Sequence, residues 1–461
     1  MHKYKNFLLA ALICACIYGC TNESRPPWKD QPNVILVVVD ALRADRLGSY
    51  GNVRPVSPNI DSYAKGGVIF KDAYSHASHT KLSVASIFTG LLPPDHGVRH
   101  AAEVDEVLSG GTALVSDAVH PDYTTLAEVM SERGYQTCGI ISNPHIMHTM
   151  GFGQGFRFYR YVPNVPRAKL INNIALDWFE KVRPKKYFLY LHYMDVHAPY
   201  HPPEEYRRRA VMGRASAKAF WENGPYTGEV ESGDIEYTKA LYDAQITYWD
   251  HEFKVFMDEL RRAGRLMNTV VIVTSDHGEE FYDHGGFGHG YTVYNEMIKV
   301  PLIVFYPDYE LDAGVVREER VMLTDLYPTI SAMAGEKALP ELSPGTDLFK
   351  NGLAGGGWLH DLFTGHTRMV YAETFYGEKP RAYYQGRHKL VYNEKSGEHE
   401  LYDLLSDPEE KIDIAGEKSA RGLYEGLDRI MARKPVFGKS PEAVMSKDAL
   451  QDLRSLGYIS E

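Results

Sequence analysis

Cysteine is almost missing from the body of this 461-residue chain: Cys14, Cys16 and Cys20 lie in the first twenty residues, and only Cys138 follows. A lone thiol excludes an internal disulfide, and a zinc site built on paired cysteines, in the folded part. Basic blocks are missing too, and the net charge is −11. Both features argue against nucleic-acid binding. The N-terminal apolar run, Phe7 to Gly19, has 13 residues. That is too short to span a bilayer.

What stands in its place reads as a signal region. Lys3 and Lys5 form a basic start, the apolar stretch follows, and Cys20 comes after a small residue. Ile17-Tyr18-Gly19-Cys20 resembles the lipobox of bacterial lipoproteins, with Cys16 after Ala15 as a rival and an ordinary cleaved signal as the alternative. Two or three acyl chains on one cysteine hold a protein stably on a membrane surface. The expectation is a lipoprotein signal over 1–20, a tether over 21–32 containing Pro26, Pro27 and Pro32, and an extracytoplasmic protein anchored at Cys20, periplasmic or on the cell surface.

The ~440 residues that remain exceed one ordinary domain. Short apolar runs at Val34–Val39, Tyr187–Tyr193, Val270–Thr274 and Pro301–Tyr306 have the length and β-branched content of buried parallel strands. Helical patterns lie between them, at Thr125–Arg133 and Asp234–Arg262, each followed closely by glycine. This alternation predicts an α/β fold, a mostly parallel sheet with helices on both faces, over 33–345. Beyond it, 346–461 predicts a small C-terminal subdomain: alternating segments at Met369–Glu373, Ala382–Gln385, His388–Asn393 and Glu400–Leu404 suggest an antiparallel sheet closed by helices. Pro202 to Gly233 is polar and irregular, which suggests a surface insertion near the site mouth.

Three of the strands end in chemistry. Val39 is followed by Asp40, Tyr193 by Asp195 and His197, and Ser275 by Asp276 and His277. Ligands of open α/β sheets sit beyond the carboxyl ends of strands. A single aspartate there is often only a helix cap; three such ends describe one site. His192, His201 and His284 have less claim to it, and Asn143, beyond the Cys138 strand, is within reach of the same edge.

At this point the chain resembles the sulfatase branch of the alkaline-phosphatase superfamily, from about Asn33 to Tyr458. The residues that carry the likeness are Asn33–Gly51 with Asp40, then Thr80-Lys-Leu-Ser83-Val-Ala-Ser86-Ile-Phe-Thr89-Gly90, then Thr274-Ser-Asp276-His277-Gly278-Glu279 with His284 and His289 beyond, and at the end Glu400-Leu-Tyr402-Asp403 and Leu456-Gly457-Tyr458. The resemblance implies that Asp40, Thr80, Asp276 and His277 hold one divalent metal ion. It places Thr80 as nucleophile, and His197 and His289 against the substrate anion or its leaving group. Two chemical facts agree. Coordination turns a weak hydroxyl into a usable nucleophile, and a cation stabilises the charge that grows on a transferring group. Three oxygen ligands and one imidazole suit manganese or zinc, with calcium the alternative.

The pattern departs from the family at its centre. Sulfatases oxidise a cysteine or serine to formylglycine within Cys/Ser-x-Pro-x-Arg; here the residues are Thr80, Leu82 and Val84, and Ala41 replaces a second aspartate. Threonine would give a ketone by that route, so no formylglycine is expected. The implied function is metal-dependent hydrolysis of a sulfated or phosphorylated small molecule, glycan or lipid headgroup. Two other readings stand beside it: a transferase moving a phospho-substituent to an envelope glycan, and a catalytically silent binding protein. Such transferases usually carry transmembrane helices, and a silent protein would be expected to lose some of Asp40, Thr80, Asp276 and His277.

Overall fold

The computed structural model describes residues 31–99, 101–102, 115–163, 167–212, 219–220, 224–225, 228–308, 314–336, 340–350, 368–416, 421–445 and 447–456. The signal region with Cys20, nearly all of the tether, much of the 202–233 insertion, the glycine-rich 352–357 and the final Gly457-Tyr458 lie outside the described residues.

Eight strands form the central sheet: β1 Asn33–Val39, β2 Val68–Tyr74, β3 Gln136–Ile141, β4 Phe158–Tyr161, β5 Tyr187–Tyr193, β6 Thr269–Thr274, β7 Leu302–Phe305 and β8 Val315–Met322. Their order is β8-β2-β7-β6-β1-β5-β3-β4. β1 lies in the middle, parallel to β5 and β6. All pairings are parallel except those of β7, which runs antiparallel to β6 and β2. The run at Pro301–Tyr306 is thus a strand, but not a parallel one. After β6 the chain builds the loops of 275–300 at the carboxyl edge of the sheet and re-enters from that edge, so its next strand runs back.

Side-chain alternation along β1 separates two cores. Ile35, Val37 and Val39 face α1 (Pro58–Lys65), and on the other side Val34, Leu36 and Val38 face α2 (Thr80–Thr89) and α3 (Leu126–Glu132). The first face is completed by α4 (Ala168–Val182) and α5 (Ser232–Arg262), and the second by α6 (Leu326–Met333). Thr125 caps α3 through a reciprocal bond with Glu128, which fixes the start of the predicted helix.

The small antiparallel sheet consists of β9 Val370–Glu373, β10 Pro380–Gln385, β11 His388–Asn393 and β12 His399–Asp403, in that order. α7 (Arg421–Met431) covers one face through Leu423, Leu427 and Ile430. The chain then returns to the larger domain, where it adds to a separate three-stranded sheet. Glu442–Val444 pairs with Val115–Asp117, and α8 (Lys447–Ser455) places Ala449, Leu450 and Leu453 in the α2 core. No described helix is long and apolar enough to cross a membrane.

Candidate active site

β1 and β6 lie in register, Val38 beside Thr274, so Asp40 and Asp276 leave the sheet side by side. At Ala41 the backbone takes φ +59°, which costs a non-glycine residue roughly 1–2 kcal/mol. The turn aims the Ala41 N–H at Asp276 Oδ1, 3.3 Å away, while its carbonyl accepts from the Tyr242 hydroxyl at 2.7 Å. Ser275 ties the two loops together: its hydroxyl accepts from Leu42 N–H at 2.9 Å and lies 2.6 Å from the Val39 carbonyl. Gly278 is needed for its size, because a Cβ there would sit 1.9 Å from the Glu296 carbonyl oxygen.

The third component arrives from the helix side. Thr80 is the first residue of α2, which ends on Gly90 in the left-handed region at φ +69°. His79 caps the helix, its Nδ1 accepting from Lys81 N–H at 3.2 Å. Thr80 Oγ1 lies 3.2 Å from Asp40 Oδ2 and 3.3 Å from His277 Nε2. Asn143 completes this ring: its Nδ2 donates to Asp40 Oδ2 at 2.7 Å and to Thr80 Oγ1 at 3.1 Å, and its Oδ1 accepts from His145 N–H at 2.8 Å. The residues named as metal ligands, Asp40, Thr80, Asp276 and His277, therefore converge, and all are fully buried.

His192 belongs with them, although its place in the chain lent it little claim. On β5, fully buried, it offers an imidazole nitrogen 3.7 Å from Asp276 Oδ2 and 3.9 Å from Asp40 Oδ2. Asp40, His192 and Asp276 present ligand atoms within 4.8 Å of one another. Asp40 Oδ1, Asp276 Oδ2 and both His192 nitrogens have no hydrogen-bond partner among the described residues. Buried carboxylate oxygens left this way carry a desolvation cost, which a divalent cation between them would remove. The donor set fits the implied ion. The signal for His192 was present: it is the single imidazole in a strand that is otherwise apolar or aromatic and buried at every position.

His197 and His289 lie beside this cluster, their rings edge to face. The His289 ring centroid is 4.4 Å from that of His277 and 4.7 Å from that of His197, and Glu279 Oε1 lies 3.0 Å from His289 Nδ1. Burial sets the protonation here. It lowers His289 to about 3, with His277 adding to the effect, and it lowers His197. It raises Glu279 to about 7. Against that same desolvation, Asp276 and Asp40 raise His277, while His277 and His192 hold Asp276 well below the usual carboxylate range. His145 and His79 extend the imidazole wall, their rings 4.8 Å apart. Asp195 points elsewhere, its Oδ1 accepting from Ala168 N–H at 2.9 Å. Leu82 and Val84 are fully buried, Val84 among the apolar residues of the α2 core, so no arginine side chain reaches the site from that position.

Comparison with known proteins bears on the family and the fold. The sulfatase family model matches residues 32–336, and a model for the C-terminal part of N-sulphoglucosamine sulphohydrolase matches 282–435. The chain is 24% identical to an arylsulfatase of Clostridium perfringens, over 88% of this chain and 94% of that one. It is 22% identical to a sulfatase of Formosa agariphila, over 94% and 92%. Among solved structures, a phosphonate monoester hydrolase of Agrobacterium radiobacter superposes with TM-score 0.65 at 18% identity, covering 87% of this chain and 95% of that one. An enzyme solved in complex with its substrate D-glucosamine-2-N,6-O-disulfate gives TM-score 0.68 at 18% identity, covering 87% and 98%. By its sequence over about two-thirds of its length, and by its fold, the chain belongs to the sulfatase family of ester hydrolases.

Proposed function

We propose that this sulfatase-family enzyme hydrolyses sulfate esters with the hydroxyl of Thr80 as its nucleophile and without formylglycine. The observation that carries the reading is the position of Thr80 Oγ1, in hydrogen-bond contact with Asp40 and Asn143 and 3.3 Å from His277 Nε2. Asp40, Asp276, His277 and Thr80 would hold one divalent ion, with His192 as a further donor. When bound, it would lower the pKa of the Thr80 hydroxyl and offset charge on the transferring group. Two imidazoles and two carboxylates favour zinc or manganese over calcium.

Thr80 Oγ1 passes its proton to Asp40 Oδ2, 3.2 Å away, and attacks sulfur; the bond from sulfur to the ester oxygen breaks, and the departing alkoxide takes a proton from His197 or His289. The start of α2 at Thr80 directs N–H groups towards the anion. Asn143 holds the Thr80 oxygen in place. A water molecule gives a proton back to that imidazole and attacks the Thr80 ester, and Thr80 Oγ1 leaves with the proton held at Asp40, which releases sulfate and restores the hydroxyl. A phosphate or phosphonate ester is the second reading, supported by the shared fold of a phosphonate monoester hydrolase and served by the same two in-line attacks at phosphorus. Acylation at Cys20 belongs to the same proposal and would hold the enzyme at a membrane surface outside the cytoplasm; labelling with a fatty acid, lost in Cys20→Ala, checks it.

The test is an assay of the purified protein on aryl sulfate, phosphate monoester, phosphodiester and phosphonate, with Mn, Zn or Ca added, for wild type and Thr80→Ala. The proposal expects metal-dependent turnover that Thr80→Ala lowers on the order of a thousandfold or more. Equal rates in the two proteins exclude covalent catalysis by Thr80.

A further inference from the structure

The single helical turn Asn295–Ile298 stands between the catalytic loops and the C-terminal subdomain. On one side its carbonyls hold the loops. Met297 O accepts from Gly278 N–H at 2.7 Å, Glu296 O from Glu279 N–H at 3.2 Å, and Ile298 O from Ser75 N–H at 2.8 Å. Gly278 and Glu279 directly follow His277, and Glu279 carries the carboxyl beside His289. Both imidazoles are therefore set through this turn.

On the other side the turn hangs on the small subdomain. Its first N–H, that of Asn295, donates to Glu410 Oε2 at 2.6 Å. Asn295 Oδ1 accepts from the hydroxyl of Tyr384, on β10, at 2.9 Å. Glu410 Oε1 forms an ion pair at 2.5 Å with the Nζ of Lys389, on β11, and both side chains are sealed from solvent. His284 adds a second tie: its Nδ1 lies 2.6 Å from Glu296 Oε1, and its Nε2 donates to the Glu410 carbonyl at 3.0 Å. Glu410 sits in the left-handed region at φ +57°, where glycine is the ordinary choice. A carboxylate is what glycine would lack.

We infer that Glu410, held by Lys389, is a positioning residue for the reaction: by fixing the Asn295 N–H it fixes the Gly278–Glu279 backbone, and with it the imidazoles of His277 and His289. The inference rests on Thr80 and its neighbours being the hydrolytic centre, and it gives the C-terminal subdomain a part in shaping that centre. The charges are not what the centre needs. A buried pair replaced by neutral groups of similar volume keeps a fold, whereas one partner alone leaves an uncompensated charge. What the centre needs is an acceptor at the Asn295 N–H.

The experiment uses the full chain in two double variants, Lys389→Met/Glu410→Gln and Lys389→Met/Glu410→Met. Both lack the charges, and only the glutamine variant keeps an oxygen for the Asn295 N–H. With Tm recorded, kcat and KM are measured on aryl sulfate and aryl phosphonate. Amide hydrogen exchange is followed in peptides covering Gly278–Glu279 and, as a control, Tyr187–Tyr193. The expected result is a kcat about 10–100-fold lower in the methionine variant than in the glutamine variant, with KM differing by less than about twofold. Exchange at Gly278 and Glu279 is expected to rise about tenfold or more in the methionine variant alone, with the control unmoved. Tyr384→Phe, which releases Asn295 Oδ1 and leaves the ion pair in place, gives the same pattern at smaller amplitude and serves should the methionine variant unfold. Equal kcat in the two double variants overturns the inference, as does faster exchange with kcat unchanged. Wild type that turns over neither ester refutes the hydrolytic reading itself; the exchange comparison then decides the hold on its own, and equal exchange in the two variants overturns it.

Discussion

Glu279 Oε1 stands 3.0 Å from His289 Nδ1, with both side chains sealed from solvent. Burial raises Glu279 to about 7 and lowers His289 to about 3, so near neutrality the titrating proton of this pair sits on Glu279. Below that value the neutral carboxyl donates to Nδ1, and His289 presents an Nε2–H to the substrate side. Above it the carboxylate accepts from Nδ1–H, and Nε2 is left without a proton. Turnover that uses His289 as a donor therefore declines as pH rises through about 7.

Glu279→Gln, an amide that can donate to Nδ1 at every pH, removes that alkaline decline. Glu279→Ala frees the ring and lowers kcat about 10–100-fold with little change in KM. The pH–kcat profiles of the three proteins check this. A profile unchanged in Glu279→Gln contradicts a positioning role for Glu279.

Asp40 and Asp276 bring orphaned oxygens to one buried point, with His192 beside them. Saturating Zn or Mn should stabilise the fold, by about 2.7 kcal/mol at a hundredfold excess over Kd. Chelation should reverse the gain and stop turnover. His192→Ala should weaken the apparent affinity for the activating ion at least tenfold, as expected for a lost donor. Thermal unfolding across a metal titration reads both effects. Identical titration curves for wild type and His192→Ala remove His192 from the ligand set.

Lys81 follows the nucleophile but turns into the protein, its Nζ bonded to the Ser116 hydroxyl. Burial pushes it down to about 7, against ~10.4 for an unfolded lysine. Between these values the unfolded chain binds a proton that the folded chain does not, so stability conferred through Lys81 rises with pH. Below about 7 both states are protonated and the burial cost is full. Lys81→Met should therefore be more stable than wild type at neutral pH. Its advantage should shrink by up to about 1.4 kcal/mol per pH unit towards pH ~10. Denaturant unfolding at several pH values checks this; a constant difference contradicts it.

Much of the architecture was legible because buried strands advertise themselves. Tyr187–Tyr193 is buried at all seven positions, and its apolar run matches the strand residue for residue. Periodicity carries no direction, however, so β7 was expected among the parallel strands. β2 and β8 were missed because both carry charge: Lys71 and Asp72 in β2, and the Arg-Glu-Glu-Arg of edge strand β8 at 317–320. At the site, Asp40, Thr80, Asp276 and His277 stood out because each ends a strand or begins a helix. His192 did not, since it lies inside a strand and its claim arises only from which neighbour it faces. Asn143 was in reach on paper, but its contacts with Asp40 and Thr80 depend on the turn after β3.

The most direct test of Thr80 as nucleophile is to quench the enzyme in acid during turnover and map the mass of its peptides. A covalent ester predicts one sulfuryl or phosphoryl group on the peptide that contains Thr80, absent from Thr80→Ala and from enzyme without substrate. Full turnover with that peptide never modified, even when the second step is slowed by His197→Ala or His289→Ala, would contradict it.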